Sequence, residues 1–234
     1  MLSVDKLKQR FYADVRSPFD RFSDKAREMV SEDSIVLHGG CGADSSIGFR
    51  QAARATVGID LDEWIARNTD LDLALMGSLC HLPLPDECID LVAARWVLEH
   101  MSSPGLFFHE VVRVLRPGGL LLLLTTNRRH YFALAVRVTP LRIQRWFIQR
   151  VHGGNADDVF PTFYRANTVP RLRILAAEAG LTEERLVTLE GSPSILKFNP
   201  FAYLVGVAYE RTVNRFELLR GVRGSILVVF RRQE

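Results

Sequence analysis

A glycine turn between two apolar segments is the first group of residues that could bind a small molecule. The apolar run at residues 35–37 leads through His38 into Gly39-Gly40-Cys41-Gly42, and a second run, Val57-Gly58-Ile59, ends at Asp60. Glycines let the backbone approach a ligand closely, and a carboxylate at the end of the next strand can accept hydrogen bonds from ribose hydroxyls. The spacing of this turn to Asp60 therefore predicts a nucleoside-cofactor site.

Two histidines are candidates for proton transfer, because the imidazole ring titrates near neutral pH. His130 directly follows the predicted fifth strand, and His100 follows Glu99 shortly after the predicted fourth strand. For the Glu99-His100 pair, a structural role at the start of a helix is the alternative interpretation. We predict His130 first and His100 second as general bases, if the chemistry needs one.

The composition excludes several classes of protein. The six histidines and three cysteines show no metal-ligand spacing, so no metal site is predicted. The odd number of cysteines argues against a disulfide framework, and the net charge of +3 is too mild to suggest nucleic-acid binding. The start of the sequence lacks the apolar core of a signal peptide, and no apolar run approaches the roughly 20 residues of a membrane span. We therefore expect a cytoplasmic protein.

Short apolar runs alternate with amphipathic stretches, a pattern that indicates strands and helices in turn. This alternation predicts an α/β fold, namely a Rossmann-like, doubly wound, mostly parallel seven-stranded sheet in a single domain over residues 1–234. N-terminal helices are expected within residues 1–33. The predicted strands are 34–38, 56–60, 71–76, 89–94, 119–126, 185–190 and 224–231. The predicted helices are 45–54, 62–67, 104–115 and 168–179, and Pro117-Gly118-Gly119 is predicted to form a tight turn between a helix and a strand.

Residues 127–166 and 192–221 are longer than ordinary connections, and we interpret them as helical caps over the site. The first is basic: no Asp or Glu occurs from Val111 to Ala156, whereas apolar residues interleave with Arg137, Arg142, Arg145 and Arg150. Such a segment could contact an anionic membrane surface or a phosphorylated substrate. A solvated helix whose arginine stems cover apolar surface is an equally good interpretation.

Residues 34–126 resemble the class I S-adenosylmethionine-dependent methyltransferases, in the branch often labelled type 11. The resemblance is carried by Val36-Leu37-His38-Gly39-Gly40-Cys41-Gly42, by Asp60, by Gly77-Ser78-Leu79-Cys80-His81-Leu82-Pro83, by Arg95-Trp96-Val97-Leu98-Glu99-His100, and by Arg113-Val114-Leu115-Arg116-Pro117-Gly118-Gly119. It implies S-adenosyl-L-methionine as the cofactor. The cofactor-binding residues it implies are His38, Gly40, Cys41, Gly42, Asp60, Leu61, Ser78, Leu79, Arg95 and Trp96.

The resemblance implies methyl transfer by in-line displacement to a small-molecule, sugar or lipid-linked acceptor, without nucleic acid as a partner. Tyr131, Tyr164 and Arg165, at either end of the first insertion, are predicted to contact this acceptor. One alternative is a non-catalytic, cofactor-binding or membrane-associated adaptor, with peripheral contact to the inner membrane face. A second is an NAD(P)-dependent oxidoreductase, disfavoured because the turn Gly40-Cys41-Gly42-Ala43-Asp44-Ser45 lacks a third glycine.

Overall fold

A computed structural model describes residues 3–43, 46–147, 149 and 160–234 of the chain. Two helices precede the sheet, as expected for residues 1–33: α1 (Val4–Tyr12) and α2 (Pro18–Glu28). Both begin at a serine, because Ser3 and Ser17 each accept a hydrogen bond from a backbone N–H of the first turn. In α2 the side chain of Asp20 also accepts from the backbone of Ser17, which completes a capping box.

Seven strands form one sheet in the order β3-β2-β1-β4-β5-β7-β6. The first five strands run parallel, and β7 is antiparallel to both β5 and β6. The predicted Rossmann-like, mostly parallel sheet is therefore confirmed. The strands are β1 (Ile35–Gly39), β2 (Ala55–Asp60), β3 (Leu73–Met76), β4 (Ile89–Arg95), β5 (Leu115–Thr126), β6 (Leu181–Leu189) and β7 (Ser225–Arg232).

Both faces of the sheet are buried, because successive side chains of a strand point to opposite faces. In β1, Leu37 belongs to the core that includes residues of α4 (Pro104–Val114) and α7 (Val169–Ala179). Its neighbour Val36 belongs to the core on the opposite face, which includes Phe22 of α2 and Phe49. The sheet is thus covered on both sides, as the near-continuous apolar runs predict.

Several predicted boundaries differ from the structure: β6 begins at Leu181 and not at residue 185, and Glu63–Arg67 form a 3-10 helix. Tertiary contacts explain two further differences. The helix predicted over residues 45–54 is reduced to α3 (Phe49–Ala52), because the buried carboxylate of Asp70 accepts hydrogen bonds from the backbone N–H groups of residues 48–50 and fixes where the helix begins. The predicted turn at Pro117-Gly118-Gly119 lies within β5 instead. Leu115 pairs with Ile89 of β4, and the register shifts before the next pair. A bulge, with Gly118 at φ +77°, accommodates the extra residues.

The two insertions contribute helices beyond the carboxyl end of the sheet. The first contains α5 (Tyr131–Val138) and α6 (Leu141–Phe147), while residues 148 and 150–159, which include Arg150, lie outside the described residues. The second contains α8 (Pro200–Arg215), which packs on α1, where the hydroxyl of Tyr12 donates to Glu210 over 3.0 Å. Within the described part of the chain, no helix is both long and apolar enough to cross a membrane.

Candidate active site

The carboxyl ends of β1, β2, β3 and β4 open onto one cavity of about 920 Å³. Parallel α/β sheets place their ligand sites at this edge. Six of the ten predicted cofactor-binding residues are brought together here, namely Gly40, Asp60, Leu61, Ser78, Leu79 and Trp96. We call this cavity the donor cleft.

The turn after β1 depends on a glycine at position 40. Gly40 has a φ of +64°, and its backbone N–H donates to the carbonyl oxygen of Ile59 over 2.8 Å. A Cβ atom added to Gly40 would lie 2.2 Å from Cγ2 of Val97, far inside van der Waals contact. The missing side chain is therefore required both by the backbone conformation and by the close approach of the segment after β4.

The carboxylate of Asp60 lies at the end of β2 and lines the donor cleft. One oxygen accepts from the backbone N–H of Gly42 over 2.8 Å, and the other accepts from the N–H of Asp62 over 2.9 Å. A carboxylate offers about four acceptor positions, so two stay available for hydroxyl groups of a ligand. The two hydrogen bonds hold the Asp60 carboxylate in place at the edge of the donor cleft.

Sequence reasoning missed several residues that line the donor cleft. Met76 at the end of β3 is exposed, and Val97 lies beside Gly40 in the segment after β4. Met76 is the last residue of β3 and Val97 comes two residues after β4, and this position at strand ends is the signal that could have found them. Trp96, which was predicted, has a φ of +51° and stacks on Phe19 at 6.3 Å between ring centroids.

Four predicted cofactor-binding residues do not line the donor cleft, namely His38, Cys41, Gly42 and Arg95. The backbone N–H of Gly42 donates to Asp60, which does line it. His38 is buried in β1, and its ring makes an edge contact with Phe49 on the side of the sheet that α2 covers. Cys41 is buried against Ile65 and Leu71, and this burial raises the pKa of its thiol to about 12. The Arg95 guanidinium lies 4.4 Å from the centre of the Phe19 ring, a cation–π contact.

A second cavity, of about 520 Å³, lies under the two insertions. We call it the apolar cavity, because α5, α6 and residues 195–198 supply a wall made mostly of aliphatic and aromatic side chains. His100 and Phe160 line both this cavity and the donor cleft, so the two spaces adjoin at these residues. The other described residues of the wall are Glu99, Thr126, Tyr131, Phe132, Ala135, Val136, Thr139, Ile143, Gln144, Phe147, Thr162, Tyr164, Ile195, Leu196 and Phe198.

Glu99 is a buried carboxylate in the wall of the apolar cavity. The hydroxyls of Thr125 and Thr126 each donate to one of its oxygens over 2.9 Å. Its backbone carbonyl accepts from the N–H groups of Phe163 and Tyr164, which attaches the end of the first insertion to this site. Burial raises the pKa of the Glu99 carboxyl above its ordinary value, more than these hydroxyls and His100 lower it.

The pKa of Glu99 is higher in the folded protein than in the unfolded chain. Glu99 therefore contributes most to the free energy of unfolding below its ordinary pKa of about 4.5, and this contribution is lost as the pH rises through the pKa that Glu99 has in the folded protein. We therefore expect the neutral variant Glu99→Gln to be more stable than the wild type at pH 7.5, with the difference vanishing near pH 4. In a chain of this size, each kcal/mol raises the Tm by about 2–4 °C. Thermal unfolding at both pH values measures the effect, and a variant that is less stable at pH 7.5 would contradict it.

The two predicted catalytic histidines lie in different surroundings. His100 lines both cavities, and its Nδ1 lies 2.9 Å from the carbonyl oxygen of Pro161. His130 is buried, with Nε2 3.2 Å from a carboxylate oxygen of Glu190 and its ring 4.1 Å from that of Tyr131, and it lines neither cavity. Of the two, only His100 is placed where the cavities meet.

The predicted acceptor contacts are also divided between two places. Tyr131 and Tyr164 line the apolar cavity, and burial raises the pKa of each phenol to about 12. Tyr164 has a φ of +51°, next to the hydrogen bonds that its segment makes to Glu99. Arg165 instead donates to the backbone carbonyl of Ser102 over 2.7 Å and lines neither cavity.

Comparison with known proteins agrees with this arrangement. Residues 37–123 match a family model described as a methyltransferase domain. A probable S-adenosylmethionine-dependent methyltransferase of Mycolicibacterium smegmatis is 39% identical over 99 residues, which cover 40% of this chain and 38% of that protein. A ubiquinone biosynthesis O-methyltransferase of a Bradyrhizobium species is 39% identical over 69 residues, covering 29% of this chain and 27% of that protein. The chain thus spans less than two fifths of the length of these relatives.

The fold also has solved counterparts. The crystal structure of the 4+2 cyclase SpnF superposes with a TM-score of 0.60 at 19% identity, covering 92% of this chain and 81% of that one. This likeness concerns the fold, whereas the matched sequence segment contains the glycine turn, Asp60 and His100. Residues 37–123 are therefore similar to a methyltransferase domain, and a probable S-adenosylmethionine-dependent methyltransferase is among the relatives that the chain matches.

Proposed function

We propose that this protein transfers a methyl group from S-adenosyl-L-methionine to a small-molecule acceptor bound in the apolar cavity. The observation that supports this most directly is the contact between the two cavities at His100 and Phe160. A methyl group held in the donor cleft at this junction would face an acceptor held beyond it. Direct transfer requires such an arrangement of two adjoining sites.

The residues of the donor cleft fit the cofactor. Gly40 allows the turn to pass close to Val97, and Asp60 has two further acceptor positions that would accept from ribose hydroxyls. Ser78 and Leu79, which the resemblance assigns to the adenine edge, line the same cleft. When bound, S-adenosyl-L-methionine supplies a methyl group on a positively charged sulfonium. The cavity of about 920 Å³ lies within the range of small-molecule sites, roughly 300–1,000 Å³.

The protein has little covalent chemistry to perform in such a reaction. Its residues orient the acceptor and exclude water, and orientation of this kind can contribute roughly 7–11 kcal/mol to the lowering of a barrier. His100 takes the proton where the acceptor is a hydroxyl. With its Nδ1 donating to Pro161, a neutral His100 carries its free lone pair on Nε2.

The wall of the apolar cavity favours an aromatic or lipid-linked acceptor over a sugar. A sugar needs many hydrogen-bonding partners, whereas α5 and α6 present Phe132, Val136 and Ile143 to this space. A flat or flexible apolar body would displace water from these side chains, at about 25 cal/mol for each Å² buried.

Calorimetric titration with S-adenosylmethionine and S-adenosylhomocysteine tests the donor cleft. We expect micromolar binding by the wild type and at least tenfold weaker binding by Asp60→Ala, which corresponds to about 1.4 kcal/mol. The reason is the loss of the carboxylate that would accept from the ribose hydroxyls. The control is Asp33→Ala, because Asp33 is an exposed carboxylate that precedes β1 and does not line the cleft. Equal affinities in the wild type and Asp60→Ala would contradict the assignment.

A membrane-associated adaptor is the second candidate function, because apolar and basic residues alternate on the exposed surface of α5 and α6. Val138 is 82% and Trp146 61% exposed, beside the exposed arginines Arg137, Arg142 and Arg145. The fold alone does not require methyl transfer, since a cyclase shares it. Side chains of these two kinds suit the surface of an anionic bilayer.

Co-sedimentation with phosphatidylcholine vesicles, with and without phosphatidylglycerol, separates the two candidates. Membrane contact through this surface would be supported if binding requires phosphatidylglycerol. The binding should also be lost in Arg142→Glu and kept in Arg171→Glu. Arg171 is a matched control, because it is exposed on α7. Such binding by a protein that does not bind the cofactor would favour the adaptor, whereas cofactor binding without vesicle binding would leave methyl transfer as the function.

A further inference from the structure

The wall of the apolar cavity has an unusual charge pattern. Among the described residues that line it, Glu99 is the only acid, and none is a lysine or arginine. The arginines of α5 and α6 belong to other faces of these helices: Arg137, Arg142 and Arg145 are exposed and do not line the cavity. A ligand in this space therefore meets a carboxylate, and no described lysine or arginine lines the cavity beside it.

The neighbours of Glu99 fix it as a hydrogen-bond acceptor. Thr125 is buried and accepts a hydrogen bond from the side-chain amide of Asn167 over 2.5 Å, so its single hydroxyl proton is directed at Glu99. Thr126 donates its hydroxyl proton to the other carboxylate oxygen. Both threonines thus act as donors, and the carboxylate presents acceptor positions to whatever binds beside it.

A buried carboxylate has two consequences for a ligand. An acceptor position that stays without a partner after water is displaced costs about 1–3 kcal/mol, and more for a charged group, so a ligand with an O–H or N–H donor is favoured. A ligand that carries its own negative charge would be disfavoured, because this space screens two negative charges poorly and the ligand or Glu99 would first have to take up a proton.

We propose that the apolar cavity selects an uncharged acceptor with an apolar body and a hydroxyl or N–H group that donates a hydrogen bond to Glu99. This inference rests on the proposed function and specifies the class of its acceptor. It excludes free carboxylic acids and phosphates from the cavity itself. Glu99 is here a binding residue that sets specificity, and His100 stays the group at the junction with the donor cleft.

Three probes of matched shape test the selection: 4-octylphenol, 4-octylanisole, in which the donor is capped, and 4-octylbenzoate, which is anionic. We expect the wild type to bind 4-octylphenol about tenfold more tightly than the anisole and at least 30-fold more tightly than the benzoate. In Glu99→Gln, the preference over the benzoate should fall to threefold or less. The measurement is equilibrium binding without cofactor, so it does not depend on methyl transfer.

The position of the probe is checked with two isoleucines on exposed helices. Ile143 lines the cavity and is 53% exposed, and Ile174 on α7 is 47% exposed and does not line it. We expect Ile143→Glu to weaken 4-octylphenol binding at least tenfold and Ile174→Glu to leave it unchanged. Equal effects of these two variants would overturn the inference, because the probe would then bind elsewhere.

The proposed selectivity is overturned if the wild type binds 4-octylbenzoate as tightly as 4-octylphenol. It is also overturned if Glu99→Gln keeps the full preference for 4-octylphenol over 4-octylbenzoate. Thr126→Val, which removes one donor to the carboxylate, serves as a second variant and should also change the ratio between phenol and benzoate. Calorimetry with S-adenosylhomocysteine, run on the same samples, tells the two proposals apart. Intact cofactor binding with failed probe selection contradicts this inference alone, and absent cofactor binding contradicts the proposed function.

Discussion

Replacing His100 with alanine is expected to lower kcat about 100-fold for a hydroxyl acceptor, because a positioned general base typically contributes a factor of 10²–10⁴. His100 is the titratable side chain that lines both cavities, and its contact with Pro161 leaves Nε2 free to take a proton. The rate is measured as release of S-adenosylhomocysteine with an acceptor that the wild type methylates.

Two other histidines serve as comparisons. His81→Ala alters an exposed residue and should leave kcat unchanged. His130→Ala removes a buried ring that contacts Glu190 and Tyr131, so we expect a lower Tm but an unchanged kcat in the protein that stays folded. A loss of kcat in His130→Ala equal to that in His100→Ala would restore the order predicted from the sequence, in which His130 came first.

Gly40→Ala is expected to weaken binding of S-adenosylhomocysteine at least 100-fold, about 2.7 kcal/mol. A left-handed backbone costs a residue with a side chain roughly 1–2 kcal/mol. In addition, the new Cβ would lie 2.2 Å from Cγ2 of Val97, so the turn must move away from its hydrogen bond with Ile59. Calorimetric titration measures the change.

Gly118→Ala is the matched control, because Gly118 also has a positive φ, +77°, but a Cβ added there meets no atom within 4 Å. Both variants thus carry the backbone strain, and only Gly40→Ala carries the clash at the donor cleft. The double variant Gly40→Ala/Val97→Ala should recover part of the affinity. If Gly118→Ala weakened binding as much as Gly40→Ala, the loss would come from general destabilisation and the role of the turn would be refuted.

The sheet was predictable because buried parallel strands leave long apolar runs in a sequence. β1, β2 and β4 lie within one residue of their predicted bounds. The start of α3 was not predictable, since it depends on Asp70, a carboxylate some twenty residues away in the chain. The early start of β5 was not predictable for a similar reason. Leu115 pairs with β4 before a bulge, and the sequence of this bulge, taken by itself, is typical of a turn.

The donor cleft was partly predictable for the same geometric reason, since strand ends supply Asp60, Ser78 and Trp96. The alternation of side chains along β1 could have excluded His38 from the cofactor site. His38 lies two residues after Val36, so both side chains point to the same face of the sheet, where His38 contacts Phe49. Tyr131 and Tyr164 were found through their residue types, and the structure places both in the apolar cavity. Its extent depends on how the two insertions pack, which no local pattern encodes.

The donor cleft and the apolar cavity are built from different parts of the chain. Strand ends β1 to β4 supply most of the first, whereas α5, α6 and residues 195–198 supply much of the second. If the proposed function holds, substitutions in the insertions would change which acceptor is bound while the donor cleft keeps its shape. Related enzymes could diverge in this way, and an engineer seeking a new acceptor should vary Val136, Ile143 and Phe198 and leave the strand ends intact.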